Sequence, residues 1–219
     1  VVTSEFQRAR RPEHKEQRRE AILAAARTLA TRDGVREVNL GDIAAEVGVH
    51  KSALLRYFET REEIYLHLTA EGWADWTAAL SIALAEAEPT PAAVAATITR
   101  TLVERPLFCD LLAHAPLNLE RNVSLESVRA FKVASLSRVG EISELIGTAL
   151  PALGKSGGRK AVAAIAAFAA TFWQTSHPGE VLAQLYDELP ELGHTVRDFA
   201  GRLEESTAAM LAGLASTVS

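Results

Sequence analysis

The chain has 219 residues, 48% of them apolar, with one cysteine and a formal charge of -5. That is enough for one large or two modest domains with a buried core, and the lone Cys109 excludes an intrachain disulfide and points to a reducing compartment. The longest apolar run, Ala161 to Trp173, has 13 residues against the roughly 20 that a membrane-spanning helix needs. With a basic, polar N-terminus and no apolar signal region, the expectation is a soluble, cytoplasmic protein without membrane association.

Alanine and leucine dominate, aromatics are few, and long β-branched alternating runs are missing, so the predicted fold class is all-α. The net acidity is unevenly placed. Residues 1–60 carry 11 Lys and Arg against 9 Asp and Glu, a balance of +2, whereas residues 61–219 carry 12 against 19, a balance of -7. A nucleic-acid contact therefore belongs to the first part of the chain.

Residues 1–13 read as a flexible arm without an apolar stripe. They form either a solvated tail or a basic arm whose Arg8, Arg10 and Arg11 seek phosphates or a narrow minor groove. Residues 14–59 read as a helix-turn-helix unit. A first helix runs from His14 to about Arg32 with Ile22, Ala25 or Ala26, and Leu29 on one face, and Asp33-Gly34 ends it.

Residues 39–58 carry the most specific pattern in the chain. Asn39 and Asp42 have the spacing of a reciprocal capping box. Ile43 and Val47 share a face, Ala44 is small where two helices would cross, and Gly48 stands where the chain must reverse in a left-handed conformation. Val49, Leu54 and Tyr57 or Phe58 supply the apolar side of a second short helix, leaving His50, Lys51, Ser52 and Arg56 outside it. An ordinary helical hairpin has no need of such a polar, basic face, but a helix entering a DNA groove does.

Residues 60–219 read as a helical effector-binding and dimerisation domain. Thr60 and Glu63 form a second capping box, in which each side chain reaches the other's amide. The helix it opens continues through Trp73 and Trp76 to about Glu86, long enough to bridge the DNA-reading unit and the rest of the chain. Thr90-Pro91 starts a helix ending at Glu104. Pro106 opens a short one that Pro116 closes. A long helix spans about Ser124 to Leu150, with Leu125, Val128, Phe131, Leu136, Val139, Ile142 and Ile146 on its apolar side.

Pro151 and the Gly-Lys-Ser-Gly-Gly stretch at 154–158 read as a loop, since the upstream glycine and strand of a phosphate loop are missing. Two terminal helices follow, Arg159 to about Gln174 and Glu191 to about Leu214, joined by a loop around His177-Pro178. The first is apolar nearly all round. The second repeats Leu192, Val196, Phe199, Leu203 and Met210, a seam suited to antiparallel or bundle packing, and with Ala163, Ala164, Ala167 and Ala170 permitting close approach the economical reading is a homodimer in which both helices pair with their copies. A fully internal hairpin is the alternative.

Trp73, Trp76 and Leu80 share one arc of the bridging helix. Phe108, Leu111, Phe131, Phe168 and Trp173 come from helices expected to pack around it. Together they suit a small, mostly apolar effector oriented by His114 or Cys109, or else they simply fill the core. No paired carboxylates, nucleophile-base pattern or metal-ligand spacing stands out. His114, His177 and His194 are dispersed, so neither an enzyme nor a metal or cofactor site is expected.

Three segments resemble the tetracycline-repressor family of bacterial transcription regulators: Arg-Arg-Glu-Ala-Ile-Leu-Ala-Ala-Ala-Arg-Thr-Leu at 18–29, Asp-Ile-Ala-Ala-Glu-Val-Gly-Val at 42–49, and Lys-Ser-Ala-Leu-Leu-Arg-Tyr-Phe-Glu-Thr-Arg-Glu-Glu-Ile-Tyr at 51–65. The resemblance implies a homodimer with an N-terminal reading head and a C-terminal ligand-sensing, dimerising domain. The chain departs from the family at His50, Ser52 and Ala53-Leu54-Leu55. Relatives commonly hold phosphate through a tyrosine where Leu55 stands, which leaves Lys51 and Tyr57 for that contact. The candidate contacts to double-stranded DNA are thus Asn39, His50, Lys51, Ser52, Leu55, Arg56 and Tyr57. The implied function is an effector-responsive regulator, most simply a repressor on a roughly palindromic operator; a sequence-tolerant architectural DNA-binding protein without a ligand is the alternative.

Overall fold

The computed structural model describes residues 3–193 and 198–217, with side chains described for 14–154, 156–193 and 198–217. Its described elements are helical, without a strand: α1 (Thr3–Asp33), α2 (Leu40–Val47), α3 (Lys51–Leu54), α4 (Arg61–Leu84), α5 (Pro91–Val103), α6 (Pro106–His114), α7 (Leu125–Ala149), α8 (Gly154–Ser176), α9 (Glu180–Glu188), α10 (Pro190–Gly193) and α11 (Phe199–Ser216). None of them is long and apolar enough to cross a membrane.

Helix α1 begins at Thr3, ahead of the predicted start at His14, so the backbone of the expected flexible arm is helical from residue 3. The arm carries Arg8, Arg10 and Arg11 with Glu5, Gln7 and Ala9, residue types that favour helix without any packing. The side chains of Arg8, Arg10 and Arg11 lie outside the described residues.

The buried apolar residues fall into two clusters. One contains Ile22, Leu29, Val35, Val38, Ile43, Ala44, Leu54 and Phe58, with Val47 packed at its edge. It also takes in Ile64, Tyr65, Leu66 and Leu68 of α4, Leu111 of α6, Leu119 and Phe131. The core under the helix-turn-helix is therefore completed by helices from beyond residue 60. The second cluster joins Trp73, Trp76, Leu80 and Leu84 of α4 to α5, Phe108 and Cys109 of α6, and parts of α7, α8 and α11.

Several expectations are corrected by packing. Pro116 does not close α6; the chain continues as a π-helical turn, Ala115–Leu119, closed by the Glu120 amide on the Ala115 carbonyl at 3.2 Å. This wider turn puts Leu119 fully inside the first core. On α7 the buried positions are Phe131, Ser135, Ile142 and Ile146, while Leu125 and Leu136, assigned to the apolar side, are 71% and 64% exposed.

The stretch at 154–158 is not a loop but the first turn of α8. A Cβ on Gly158 would meet the Ser143 carbonyl, so this glycine allows α8 to cross close to α7, and one on Gly157 would meet Leu153 in the turn before α8. The expected loop after His177 contains α9. The last helix starts at Phe199 rather than Glu191, after the separate α10.

The seam of α11 also turns inward. Phe199 and Leu203 lie in the chain's own second core, with the Phe199 ring edge-on to Trp173 at 5.3 Å, and Leu192 is exposed on α10. Val196 and His194 lie outside the described residues. The open side of α8 keeps Ala163 and Ala167 exposed, with Thr171 beyond them, whereas Ala164 and Ala170 are half-buried.

Candidate nucleic-acid interface and its link to the helical domain

The reading unit is built by its caps. Asn39 Oδ1 accepts the amides of Gly41 at 2.7 Å and Asp42 at 3.3 Å, and Asp42 Oδ2 accepts the Asn39 amide at 2.8 Å. These bonds satisfy amides that α2 cannot pair internally. Gly48 ends the helix at φ 73°, and the Gly48 and Val49 amides reach back to the Ala45 and Ala44 carbonyls, the left-handed cap that a Cβ would oppose.

Helix α3 is a single turn, followed by tight turns through Phe58 rather than more regular helix. His50 caps it. Its Nδ1 accepts the Ser52 amide at 3.3 Å and lies 2.9 Å from Ser52 Oγ. Leu54 and Phe58 anchor the segment with 0% and 1% exposure, so Lys51, Ser52, Leu55 and Arg56 are turned out to solvent and Tyr57 is half-buried. Six of the seven candidate DNA contacts thus share one surface around α3, and Asn39 stands exposed at the start of α2. Two cations, two small polar groups and an aromatic on a backbone fixed from beneath can meet phosphates and base edges together.

Three polar residues that sequence reasoning missed hold this unit in place. Arg19 of α1 lies 4.4 Å over the Phe58 ring, and its guanidinium donates to the Tyr57 carbonyl at 3.4 Å and to His67 Nε2 at 2.5 Å. A guanidinium has no acceptor, so Nε2 must accept. Burial, and then Arg19, hold the His67 pKa below its ordinary value. Arg61, in the first turn of α4, donates from Nε to the Val38 carbonyl at 2.5 Å and from Nη2 to the Val35 carbonyl.

Asp110 completes the set from α6. Its Oδ2 accepts the Val35 amide at 2.8 Å, its Oδ1 accepts Gln174 Nε2 of α8 at 2.7 Å, and His114 Nε2 lies 3.5 Å from Oδ1. Burial pushes this carboxyl up, but the bonds from His114, Val35 and Gln174 outweigh it and leave the pKa below the ordinary carboxylate range. The signal was present in the sequence: a carboxylate inside Phe-Cys-Asp-Leu-Leu is seldom buried without partners. Thr60 Oγ1 accepts the Glu63 amide as expected, whereas Glu63 Oε2 reaches the Glu59 amide at 2.7 Å rather than that of Thr60.

The candidate effector residues do not converge on one site. Trp73, Trp76 and Phe108 form one buried wedge, with ring centroids 5.2 to 5.9 Å apart, and Cys109 lies in the same core. Burial raises the Cys109 thiol to about 12. Leu111 and Phe131 belong to the other core, under the reading unit. Phe168 and Trp173 are half-buried on α8, where Phe168 stacks on Phe172 and Trp173 on His177. His114 faces Asp110 rather than the wedge. Gly72 lets Phe108 settle directly on α4, since a Cβ there would collide with its ring. Beside the wedge, Thr77, Ala78, Ser81, Arg138, Glu141 and Leu145 line a groove of about 660 Å³ between α4 and α7. Among the described residues, no group of three or more His, Cys, Asp or Glu is placed to hold a metal ion.

Comparison with known proteins matches residues 22–68 to the family described as "Bacterial regulatory proteins, tetR family" and residues 70–217 to "Tetracyclin repressor-like, C-terminal domain". No curated protein matches the chain. Among solved structures, the Thermus thermophilus repressor FadR, in complex with lauroyl-CoA, is 23% identical with a TM-score of 0.50, covering 89% of this chain and 93% of its own. The fatty acid degradation regulator FadR of Bacillus halodurans is 14% identical with a TM-score of 0.53, over 90% and 96%. A regulator from Pseudomonas aeruginosa PAO1 is 13% identical with a TM-score of 0.55, over 92% and 91%. At these identities the likeness is one of fold.

Proposed function

The chain belongs to the tetracycline-repressor family of bacterial transcription regulators, and on that premise we propose that it is a homodimeric, effector-responsive repressor acting in the cytoplasm on a roughly palindromic operator. The observation that carries this reading is the position of α6. Phe108 closes the aromatic wedge, and two residues later Asp110 holds the loop that supports the reading unit. A molecule that displaces Phe108 by shifting the backbone of α6 moves Asp110 and Leu111 with it, because the three belong to one helical turn.

The exposed face of α3 reads each half-site. Lys51, Arg56 and Tyr57 meet phosphate, while His50 and Ser52 reach base edges, with Leu55 and Asn39 at the margins. A single turn of helix spans only a few base pairs, so a second copy is needed for specificity, with half-sites about one helical turn apart. The effector is small and largely apolar, since it would have to part the buried rings of Trp73, Trp76 and Phe108, which are apolar and bordered by few charges. Of the lauroyl-CoA bound by the Thermus thermophilus repressor, only the acyl chain shares this apolar character, the coenzyme A part being large and charged. Effector binding weakens operator binding and the operator weakens effector binding equally, by a coupling of about 1 to 3 kcal/mol.

The test is selection of bound genomic fragments by the full chain, followed by titration of the selected site with apolar candidates while tryptophan fluorescence and operator affinity are read together. A palindromic consensus whose affinity falls as fluorescence changes is the expected result. Binding without sequence preference, and with no compound altering it, would instead support an architectural DNA-binding protein.

A further inference from the structure

Residues 180–193 are not used by the core of their own chain. Helix α9 buries none of its residues. Val181, Leu182, Leu185, Leu189 and Leu192 are 85, 42, 38, 42 and 53% exposed; the first three share a face of α9, and Leu189 and Leu192 follow beyond its end at Glu188. The segment packs on itself, Tyr186 lying over Gly193. A helix of nine residues has little stability alone in water, and so large an apolar stripe on such a short segment marks a contact surface. The stripe is bordered by exposed carboxylates at Glu180 and Glu188.

A surface of matching chemistry lies on the same chain. Gly140, Ser143 and Glu144 of α7 with Ser156, Arg159, Lys160 and Ala163 of α8 enclose a groove of about 730 Å³. Arg159 and Lys160 are exposed and meet no carboxylate among the described residues, so the groove keeps an excess of positive charge over its single Glu144. Along the same face of α7, Val133 and Leu136 are 67% and 64% exposed and continue the groove as an apolar strip. The arm offers apolar surface edged with negative charge, and the groove offers apolar surface edged with positive charge.

Helix order makes a second copy the occupant. The open side of α8 runs from Arg159 through Ala163, Ala167 and Thr171 to Gln174, with its midpoint near Ala167. Antiparallel pairing about that point brings the end of α8, and Glu180 just beyond it, beside the partner subunit's Arg159. We propose that residues 180–193 of each subunit dock in the α7–α8 groove of the other, the stripe from Val181 to Leu192 on Val133 and Leu136, and Glu180 and Glu188 at Arg159 and Lys160. This rests on the homodimer reading above.

The experiment mixes two separately purified full-length variants, Val181→Cys and Ala163→Cys, allows subunit exchange, and adds a short bismaleimide. Cys109 does not interfere, being fully buried with its thiol raised to about 12. A covalent dimer in the mixture and not in either variant alone is the expected result. Linkage confined to the Val181→Cys sample would put the two arms against each other and overturn the groove. A charge test runs beside it. Arg159→Glu with Lys160→Glu should weaken the dimer roughly tenfold, and Glu180→Lys with Glu188→Lys on the same chain should restore it. A stable dimer that neither links in the mixture nor responds to charge reversal removes the arm and leaves the homodimer standing. An unmodified chain that sediments as a monomer removes both.

Discussion

Asp110 accepts the Val35 amide at 2.8 Å across 75 positions of sequence, and Arg61 takes the carbonyl of the same residue. One peptide segment of the loop before α2 is thus fixed from α6 on one side and from α4 on the other. The loop carries Val35 and Val38 into the head core. A change in either helix therefore reaches the reading unit through hydrogen bonds as well as apolar contact.

Replacing Asp110 with Ala leaves the Val35 amide and Gln174 without their acceptor, at a cost of about 1 to 3 kcal/mol in denaturant unfolding. The acid limb should change too. Because the folded-state pKa of Asp110 is lowered, its ionisation stabilises the fold fully above the unfolded carboxylate value of about 3.9. That contribution disappears as the pH falls through the folded value. Stability followed from pH 6 into acid should thus fall less steeply in Asp110→Ala than in the parent. Equal slopes would remove Asp110 as a stabilising carboxylate.

His67 acts with the same sign in a higher pH window. Its folded-state pKa is depressed, so the unfolded chain takes up the proton first. The head loses stability as the pH drops below about 6.5, the unfolded imidazole value, until the folded value is passed. Gln at position 67 keeps an acceptor for Arg19 and cannot titrate. Thermal unfolding of His67→Gln should therefore lack the decline that the parent shows below neutrality.

Lys51 is exposed on α3, where an ammonium group paired with a phosphate strengthens binding to every sequence alike. Lys51→Ala should reduce the slope of log affinity against log salt by about one unit, the share of a single phosphate ion pair. An unchanged slope would show that Lys51 does not pair with phosphate. Substitutions at Ser52 or His50 should instead alter base preference at one position in each half-site, read by repeating the fragment selection.

Gly72 and Phe108 test the wedge. A methyl group at position 72 collides with the Phe108 ring, and such overpacking costs about 1 to 3 kcal/mol. Since Phe108 touches both Trp73 and Trp76, Gly72→Ala should shift tryptophan emission. If α6 couples the wedge to the head, operator affinity should change as well, though position 72 is far from α3 in sequence. Altered fluorescence with unaltered operator affinity would argue against that coupling.

Ala167 lies exposed midway along the open side of α8. Ala167→Glu brings two carboxylates together if the two-fold axis passes nearby, and such like-charge juxtaposition costs several kcal/mol at an interface. Sedimentation should show monomer while circular dichroism and melting stay near those of the parent. A surviving dimer would move the axis elsewhere.

Local chemistry makes the reading unit legible from the amino-acid order alone. Asn39 and Asp42 pair across three residues, Gly48 reverses the chain, and Leu54 and Phe58 sit a turn apart; each signal acts within a few positions, so sequence order nearly is spatial order. The all-helical class and the caps at Thr60 and Thr90 rest on the same short range. Partition of the apolar residues does not. Leu111 and Phe108 stand one turn apart on α6 yet enter different cores, Leu136 is exposed although its helical phase suggested burial, and Phe199 and Leu203 pack inward where a seam for a second copy was expected. Those outcomes depend on which helix crosses which, and at what distance. Crossing is set by long-range fit, such as Gly158 against Ser143 or Asp110 between Val35 and Gln174, among residues that no periodicity along the chain brings together.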